Sequence, residues 1–403
     1  MKAWLRITLL GLLLPGCCFV QAGALTRRTE RSGQPQSAIP AEARDHFLAA
    51  KKAEAGADWE SAEREYSAAI KLAPRWAEAM VDLGIVLNRE GRFDQAIRSF
   101  ESALVVDPKL YGAQLDLGIA YFRRQQYEQA EAALRAALAI QPGDPQASKL
   151  LLLSMFGQDK FKESAELGKK LAVEPGRDAA VLEVTGRACL HLHDYSSAAK
   201  FLDARAKLAP ESAEVHLMLG EALDNLNDED SAIAEMRRAI DLAGPAGLKD
   251  AHFLLGYVLW KLRRYDEAAS EFKKQLAAES GHPPSTYYLG NIALDEGKIA
   301  EALPLLETAA KQIPNDFAVR YDFGKALLQS GSIKQAIAEL RMAITINPKK
   351  AEAHFQLGQA LKRTGQQAQA EQEFETVRQL NELERADLER KVQGEENKNK
   401  PPF

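Results

Sequence analysis

The stretch Ala77–Leu110 reads AEAMVDLGIVLNREGRFDQAIRSFESALVVDPKL, and its pattern decides the fold. Leu83, Leu87, Phe93, Ile97, Phe100 and Leu104 are its large apolar residues, and within each half they recur at three-, four- and seven-residue steps. That period belongs to two amphipathic helices. Glu90-Gly91-Arg92 interrupts it as a tight turn, and Asp107-Pro108 closes it. Gly84, Ala96 and Ala103 share the apolar faces, where larger side chains would hold two packed helices apart. A leucine at Gly84 or Gly290 is expected to overpack the pair, at a cost of about 1–3 kcal/mol.

The same pattern restarts after Pro108 and runs through most of the chain. Glycines stand at Gly84, Gly118, Gly186, Gly220, Gly256, Gly290, Gly324 and Gly358, spaced by 34 or 68 residues except for one step of 36 after Gly220. An alanine follows each twelve residues later, at Ala96, Ala130, Ala198, Ala232, Ala268, Ala302, Ala336 and Ala370, with Ala62 in the same slot of a first unit. Prolines recur in one register at Pro74, Pro108, Pro142, Pro210, Pro314 and Pro348, each placed to stop a second helix. The lattice divides residues 43–384 into ten units: 43–76, 77–110, 111–144, 145–178, 179–212, 213–248, 249–282, 283–316, 317–350 and 351–384. Units of this kind bury their apolar faces by stacking, so the chain is predicted to be an all-α solenoid.

These units resemble the tetratricopeptide repeat. Its pattern of Leu-Gly, a turn aromatic, an alanine, a second aromatic and a closing proline is met by Leu83-Gly84, Phe93, Ala96, Phe100 and Pro108. Leu255-Gly256, Tyr265, Ala268 and Phe272 repeat it. The resemblance implies a right-handed superhelix whose first helices line a concave face along which a ligand lies. Three departures stand out. Unit 145–178 has Leu152 for the glycine, Ser164 for the alanine and an early Pro175; unit 179–212 puts Arg205 where a small residue is usual; Gly244–Gly247 adds two residues to a junction. The solenoid is expected to bend or loosen at 145–178 and near 244–247.

At 403 residues, 46% apolar and 27% charged, the chain is globular, and too long for one hydrophobic core. The net charge of −5 comes from interleaved acids and bases, leaving no basic footprint for nucleic acid. Residues 1–24 read as a targeting segment: Lys2 and Arg6, an apolar run over 7–14, then small residues at 20–24. A cleaved secretory signal, a lipoprotein signal with Cys17 lipidated in Leu14-Pro15-Gly16-Cys17, and a retained anchor over 7–25 all fit. Each puts the body of the protein outside the cytoplasm, in the periplasm or secreted, with membrane contact only through this segment. Residues 25–42 read as a polar linker, and 385–403 as a charged capping helix end followed by a disordered tail from Gly394. Asp387 and Lys391 form an acid-then-base i,i+4 pair in that cap.

Outside the repeats only two separated terminal pieces remain, and neither can enclose a catalytic core. His46, His216, His252 and His354 share one early first-helix slot, which reads as packing rather than ligation. Cys189 and His193 could share a helix face, but His191 would point elsewhere, and Cys189 falls at an interior position. No phosphate-cradling loop or nucleophile elbow occurs. The reading is therefore non-catalytic, with no metal and no cofactor.

Under the resemblance, the inward places of each unit are the second, fifth, ninth and twelfth. At the fifth place the last four units carry Phe253, Tyr287, Tyr321 and Phe355. Tyr257 and Trp260 lie on the same stripe, with Asn291, Lys325 and Gln359 beside them. Spaced rings with polar neighbours suit the grip of an extended peptide or helix. The Lys/Asn/Arg clamp of chaperone-binding members is missing: Val81, Asp82, Ile85, Leu115, Asp116 and Ile119 fill its places. With Phe122, Leu153 and Phe156, these make the N-terminal half more apolar, fit for another protein's helix or for self-association. The predicted function is a non-catalytic scaffold binding a protein or peptide. An envelope assembly lipoprotein for pilus or polysaccharide export, and a docking or regulatory subunit of an enzyme system, are the competing readings.

Overall fold

The computed structural model describes residues 39–172, 178–244 and 247–398. The readings on residues 1–38, Cys17 among them, lie outside the described residues, as does Pro175. Among the described residues there are twenty α-helices and no strand. The first helices of successive repeats are α1 (Ala41–Ala55), α3 (Ala77–Arg89), α5 (Tyr111–Arg123), α7 (Pro145–Gly157), α9 (Ala179–His191), α11 (Ala213–Asn225), α13 (Ala251–Lys261), α15 (Pro283–Asp295), α17 (Phe317–Gln329) and α19 (Ala351–Arg363). The second helices are α2 (Trp59–Leu72), α4 (Phe93–Val106), α6 (Tyr127–Ile140), α8 (Phe161–Leu171), α10 (Tyr195–Leu208), α12 (Glu229–Ala243), α14 (Tyr265–Ala278), α16 (Ile299–Gln312), α18 (Ile333–Ile346) and α20 (Gln367–Lys398). This is an all-α solenoid. The chain separates into two compact units, Met1–Asp228 and Glu229–Phe403, and within each one every helix packs on the next. None of the described helices is long and apolar enough to cross a membrane.

The glycine of each first helix makes room for a large side chain sixteen residues on. In the first unit Gly84 meets Phe100, Gly118 meets Leu134 and Gly186 meets Leu202; in the second Gly256 meets Phe272, Gly290 meets Leu306, Gly324 meets Leu340 and Gly358 meets Phe374. A methyl group on Gly84 would lie 2.5 Å from Phe100 Cε1, far inside the 3.5–4.0 Å of a good carbon contact. Repeat 145–178 breaks the lattice in a compensated way. Leu152, fully buried, takes the glycine slot, and Gly168 stands sixteen residues later where the bulky partner belongs. Large and small are exchanged at these two places, and Gly168 makes room for Thr185 of the next repeat, whose Oγ1 would lie 2.0 Å from an added methyl group. Ser164 replaces the alanine without leaving its hydroxyl unpaired, because its Oγ donates to the Leu152 carbonyl at 3.4 Å.

The hairpin turns place one residue each in the left-handed region, in a single register: Ala57, Gly91, Gln125, Asp159, His193, Asn227, Arg263, Gly297, Gly331 and Gly365. Glycine is preferred there because a Cβ crowds the following carbonyl, yet six of the ten positions carry a side chain.

The shared histidine slot proves to be a clip between helices. His46 Nδ1 lies 2.7 Å from Glu65, His252 Nδ1 2.6 Å from Glu271 and His354 Nδ1 2.6 Å from Glu373, always nineteen residues on. Arg320 does the same with Glu339 at 2.7 Å. His354 and Arg320 also reach back to the closing-proline carbonyls of the preceding repeats, Pro348 at 3.0 Å and Pro314 at 2.9 Å. Arg205 is accommodated by an ion pair with Glu183 at 3.2 Å. At the C-terminus α20 runs on to Lys398, past Gly394 where the tail was expected to begin. The segment holds no proline before Pro401, and Arg378–Glu375, Arg385–Glu389 and Arg390–Asp387 pairs line its surface.

Candidate functional site

The nine predicted groove residues all fall in the second compact unit, on α13, α15, α17 and α19. They divide into support and surface. Phe253, Tyr287 and Asn291 are buried; Tyr257, Trp260, Tyr321, Lys325 and Gln359 are half-buried; Phe355 is exposed. The grading has a simple cause. Phe253 is covered by the His282 ring that closes its own repeat, at 5.1 Å, and by Tyr288 of the next repeat, at 6.1 Å. Phe355 lies on α19, the last of the first helices among the described residues, and is 43% exposed. Phe253, Tyr287 and Asn291 thus shape the face from beneath.

A polar ladder ties three consecutive first helices together. Trp260 Nε1 on α13 donates to Asn291 Oδ1 on α15 at 2.8 Å. Asn291 Nδ2 donates in turn to Asp322 Oδ2 on α17 at 2.9 Å, and the Tyr287 hydroxyl donates to the same oxygen at 2.8 Å. Burial raises the Asp322 carboxyl above the usual carboxylate range, against the pull of Tyr287, Asn291 and Lys325. Burial likewise pushes the Tyr287 hydroxyl well up, helped by the neighbouring Asp322 charge, so it stays a donor. The ladder fixes the height and tilt of the rings above it.

The rings themselves cluster around Tyr288, which the sequence reading passed over. Tyr288 packs edge-on to Trp260 at 4.8 Å and to Tyr257 at 5.6 Å, and stacks on Phe272 at 5.4 Å. Tyr257 and Trp260 stack at 5.9 Å. Further along, Tyr321 stacks on Phe317 at 5.8 Å. Lys325 stands 4.0 Å from Asp295, leaving its ammonium on the rim rather than in a tight pair. The sixth place, home of Tyr288 and Asp322, carried a signal in the sequence: Asp82 and Asp116 occupy it too, an unusual recurrence of acid inside a core helix.

In the first compact unit the corresponding face is apolar with a few buried charges. Ile85 and Leu153 are buried, while Val81, Leu115, Ile119, Phe122 and Phe156 are half-buried. Burial pushes the Asp82 carboxyl up to about 6, although Lys51 Nζ lies 2.7 Å away and opposes the shift. Arg187 lies over the Phe156 ring at 5.4 Å. Cys189 is wholly buried, and burial raises its thiol to about 11; His191 stacks on Phe161 at 4.0 Å and His193 sits in the hairpin turn. These three are packed separately and form no common site.

Hairpins of this length, glycine lattice and turn register define a helical-repeat protein. Family models for the tetratricopeptide repeat match residues 47–110, 186–247 and 249–283, 87–152 and 293–344, and 351–382. A TPR repeat model matches 324–365. Together they span most of the chain, which belongs to the tetratricopeptide-repeat family; none of the matched models describes a catalytic family. No curated protein matches the sequence. Among solved structures, the chain is similar to Naa15/Naa10 bound to HypK-THB, at 15% identity and TM-score 0.44, over 84% of this chain and 63% of that one. It therefore spans less than two thirds of that chain. It is also similar to YrrB, a TPR protein with an unusual peptide-binding site (22% identity, TM-score 0.40, 44% of this chain and 91% of that one). A third likeness is to MamA 41-end from Desulfovibrio magneticus RS-1 (20% identity, TM-score 0.39, 42% and 95%).

Proposed function

We propose that the protein is an interaction scaffold that binds an extended peptide or a helix across the first-helix face of repeats 249–384. One observation carries the reading: a continuous hydrogen-bonded ladder, Trp260–Asn291–Asp322–Tyr287, holds aromatic rings in fixed positions across three repeats. Preorganised rings give contact area with little entropy left to lose on binding. Tyr257, Trp260, Tyr321 and Phe355 are the contact surface, with Lys325 and Gln359 to satisfy a ligand's backbone or carboxylate groups. Phe253, Tyr287 and Asn291 support them. The setting proposed for this activity is outside the cytoplasm, resting on Lys2, Arg6 and the apolar run over 7–14. Mass spectrometry of the mature N-terminus tests that setting: a start at Gly23 or Leu25 removes Cys17 and with it any lipid anchor there.

The binding reading is tested with peptides selected against the full chain from a random display library. The double variant Tyr321→Ala/Phe355→Ala should bind them at least tenfold more weakly, with an unchanged circular dichroism spectrum. Equal affinity in a folded variant would remove this face from the binding site.

A further inference from the structure

The two-residue insertion before repeat 249–282 leaves a mark in the structure. First helices elsewhere in the second unit begin on the first place of the repeat, but α13 starts two residues late, and Asp250 takes a left-handed conformation with φ of 58° ahead of it. Asp250 is 2% exposed, and its Oδ2 has no hydrogen-bond partner. A buried carboxylate oxygen without a partner is costly, so something should compensate it. The repeat also lacks a closing proline. In its place runs Glu279-Ser280-Gly281-His282, and this loop returns over Asp250.

Three side chains converge there. Asp250, Glu279 and His282 each bring one ligand atom, and these atoms all lie within 4.8 Å of one another. His282 Nε2 stands 3.5 Å from Asp250 Oδ1. That separation is long for a charge-assisted hydrogen bond, which settles near 2.7–2.9 Å. It matches the edge of a tetrahedron around an ion with bonds of about 2.1 Å, which is about 3.4 Å. The histidine is also oriented as a ligand would be. Its Nδ1 accepts the Ser285 backbone N–H at 3.3 Å and lies 2.8 Å from Ser285 Oγ, and Nε2 faces the two carboxylates; ligation through Nε2 moves the proton to Nδ1, which then donates to the Ser285 hydroxyl in place of the backbone bond. The ring is held on its other side by an edge-to-face contact with Phe253 at 5.1 Å.

We propose that Asp250, Glu279 and His282 bind a divalent transition-metal ion, of which Zn²⁺ fits the donor set best. One imidazole and two carboxylates suit zinc, with water completing the shell, whereas calcium and magnesium select all-oxygen sites. The ion neutralises the buried Asp250, and it clips the start of α13 to the loop between α14 and α15. It acts as a structural fastener at the junction that the insertion lengthened.

The test uses the full chain stripped with a chelator and titrated with Zn²⁺ alone by calorimetry. One equivalent should bind saturably, with a rise in melting temperature, and X-ray absorption should report nitrogen and oxygen ligands without sulfur. Glu279 is exposed, so Glu279→Gln leaves the fold untouched and should weaken binding at least tenfold; Asp250→Asn should do the same, and Cys189→Ser should not. No saturable binding, sulfur in the metal's shell, or full affinity in Glu279→Gln would overturn the assignment.

Discussion

Two glycines in neighbouring first helices should answer the same substitution with opposite signs. Gly84→Ala places a methyl group 2.5, 2.7 and 2.8 Å from three atoms of the Phe100 ring. Phe100 is fully buried, so it cannot turn out to solvent, and α3 and α4 must separate by about 1 Å to restore contact distance. Overpacking of that kind costs about 1–3 kcal/mol. The gain in helix propensity from Gly to Ala returns up to about 1 kcal/mol, leaving a net loss of about 1–2 kcal/mol. Gly112 lies in α5 with nothing within 4 Å of a new methyl group, so Gly112→Ala keeps only the favourable propensity. A repeat array does not unfold as one two-state unit, so the readout should be local. Amide hydrogen exchange in α3 and α4 is expected to quicken about 5–30-fold in Gly84→Ala. In Gly112→Ala, exchange in α5 should stay level or slow. Unchanged exchange around Gly84 would mean that the glycine–aromatic contact does not set the helix separation, and the packing argument would fail.

Three further outcomes follow from the same structure. Gln125 is exposed in a left-handed turn position, so Gln125→Gly should stabilise its hairpin by about 0.5–1 kcal/mol, read as slower exchange in α5 and α6. Glu131 is buried, which alone would raise its carboxyl, but bonds from Lys160, Arg135 and Gln158 outweigh this and hold it at about 2. A lowered carboxyl stabilises above its unfolded value of 4.5, and that stability is lost as the pH falls from 4.5 toward 2. Because Lys160 and Arg135 reach solvent, the contribution is about 1–2 kcal/mol; Glu131→Gln should lose it at pH 7 and show a flatter acid limb in a pH series of amide-exchange protection in α6. Tyr287→Phe removes a donor to the buried Asp322 and should cost about 1–3 kcal/mol at neutral pH. Burial raises the Asp322 carboxyl, so acidification protonates it early, and the penalty, read as amide-exchange protection in α15 and α17, should shrink as the pH falls.

The repeat architecture was open to reading because it is periodic. A glycine, an alanine and a proline at fixed offsets leave few alternatives, and Gly91 marks the turn register that the other repeats follow. Pairings across elements were harder. The clip of His252 with Glu271 joins residues nineteen apart on different helices, and neither helix shows it alone. Leu152 reads as a defect within its own repeat, and the small residue sixteen places on, Gly168, answers to Thr185 in the next one. The aromatic stripe lies on the first helices, but its depth was not legible. A fifth-place ring is buried where His282 and Tyr288 cover it, as at Phe253, and exposed on the last described first helix, as at Phe355. Asp322 and Tyr288 were missed because their importance comes from contacts with other helices, 16 to 35 residues away along the chain.

The most direct test of the binding account is a photo-crosslinking amino acid placed at position 355, on the first-helix face, or at position 342, which is exposed on the second helix α18. In cells that make the full chain, position 355 should yield a discrete adduct that Tyr321→Ala abolishes, while position 342 yields none. An adduct at 342 with none at 355 would place the partner on the opposite helices and contradict the account.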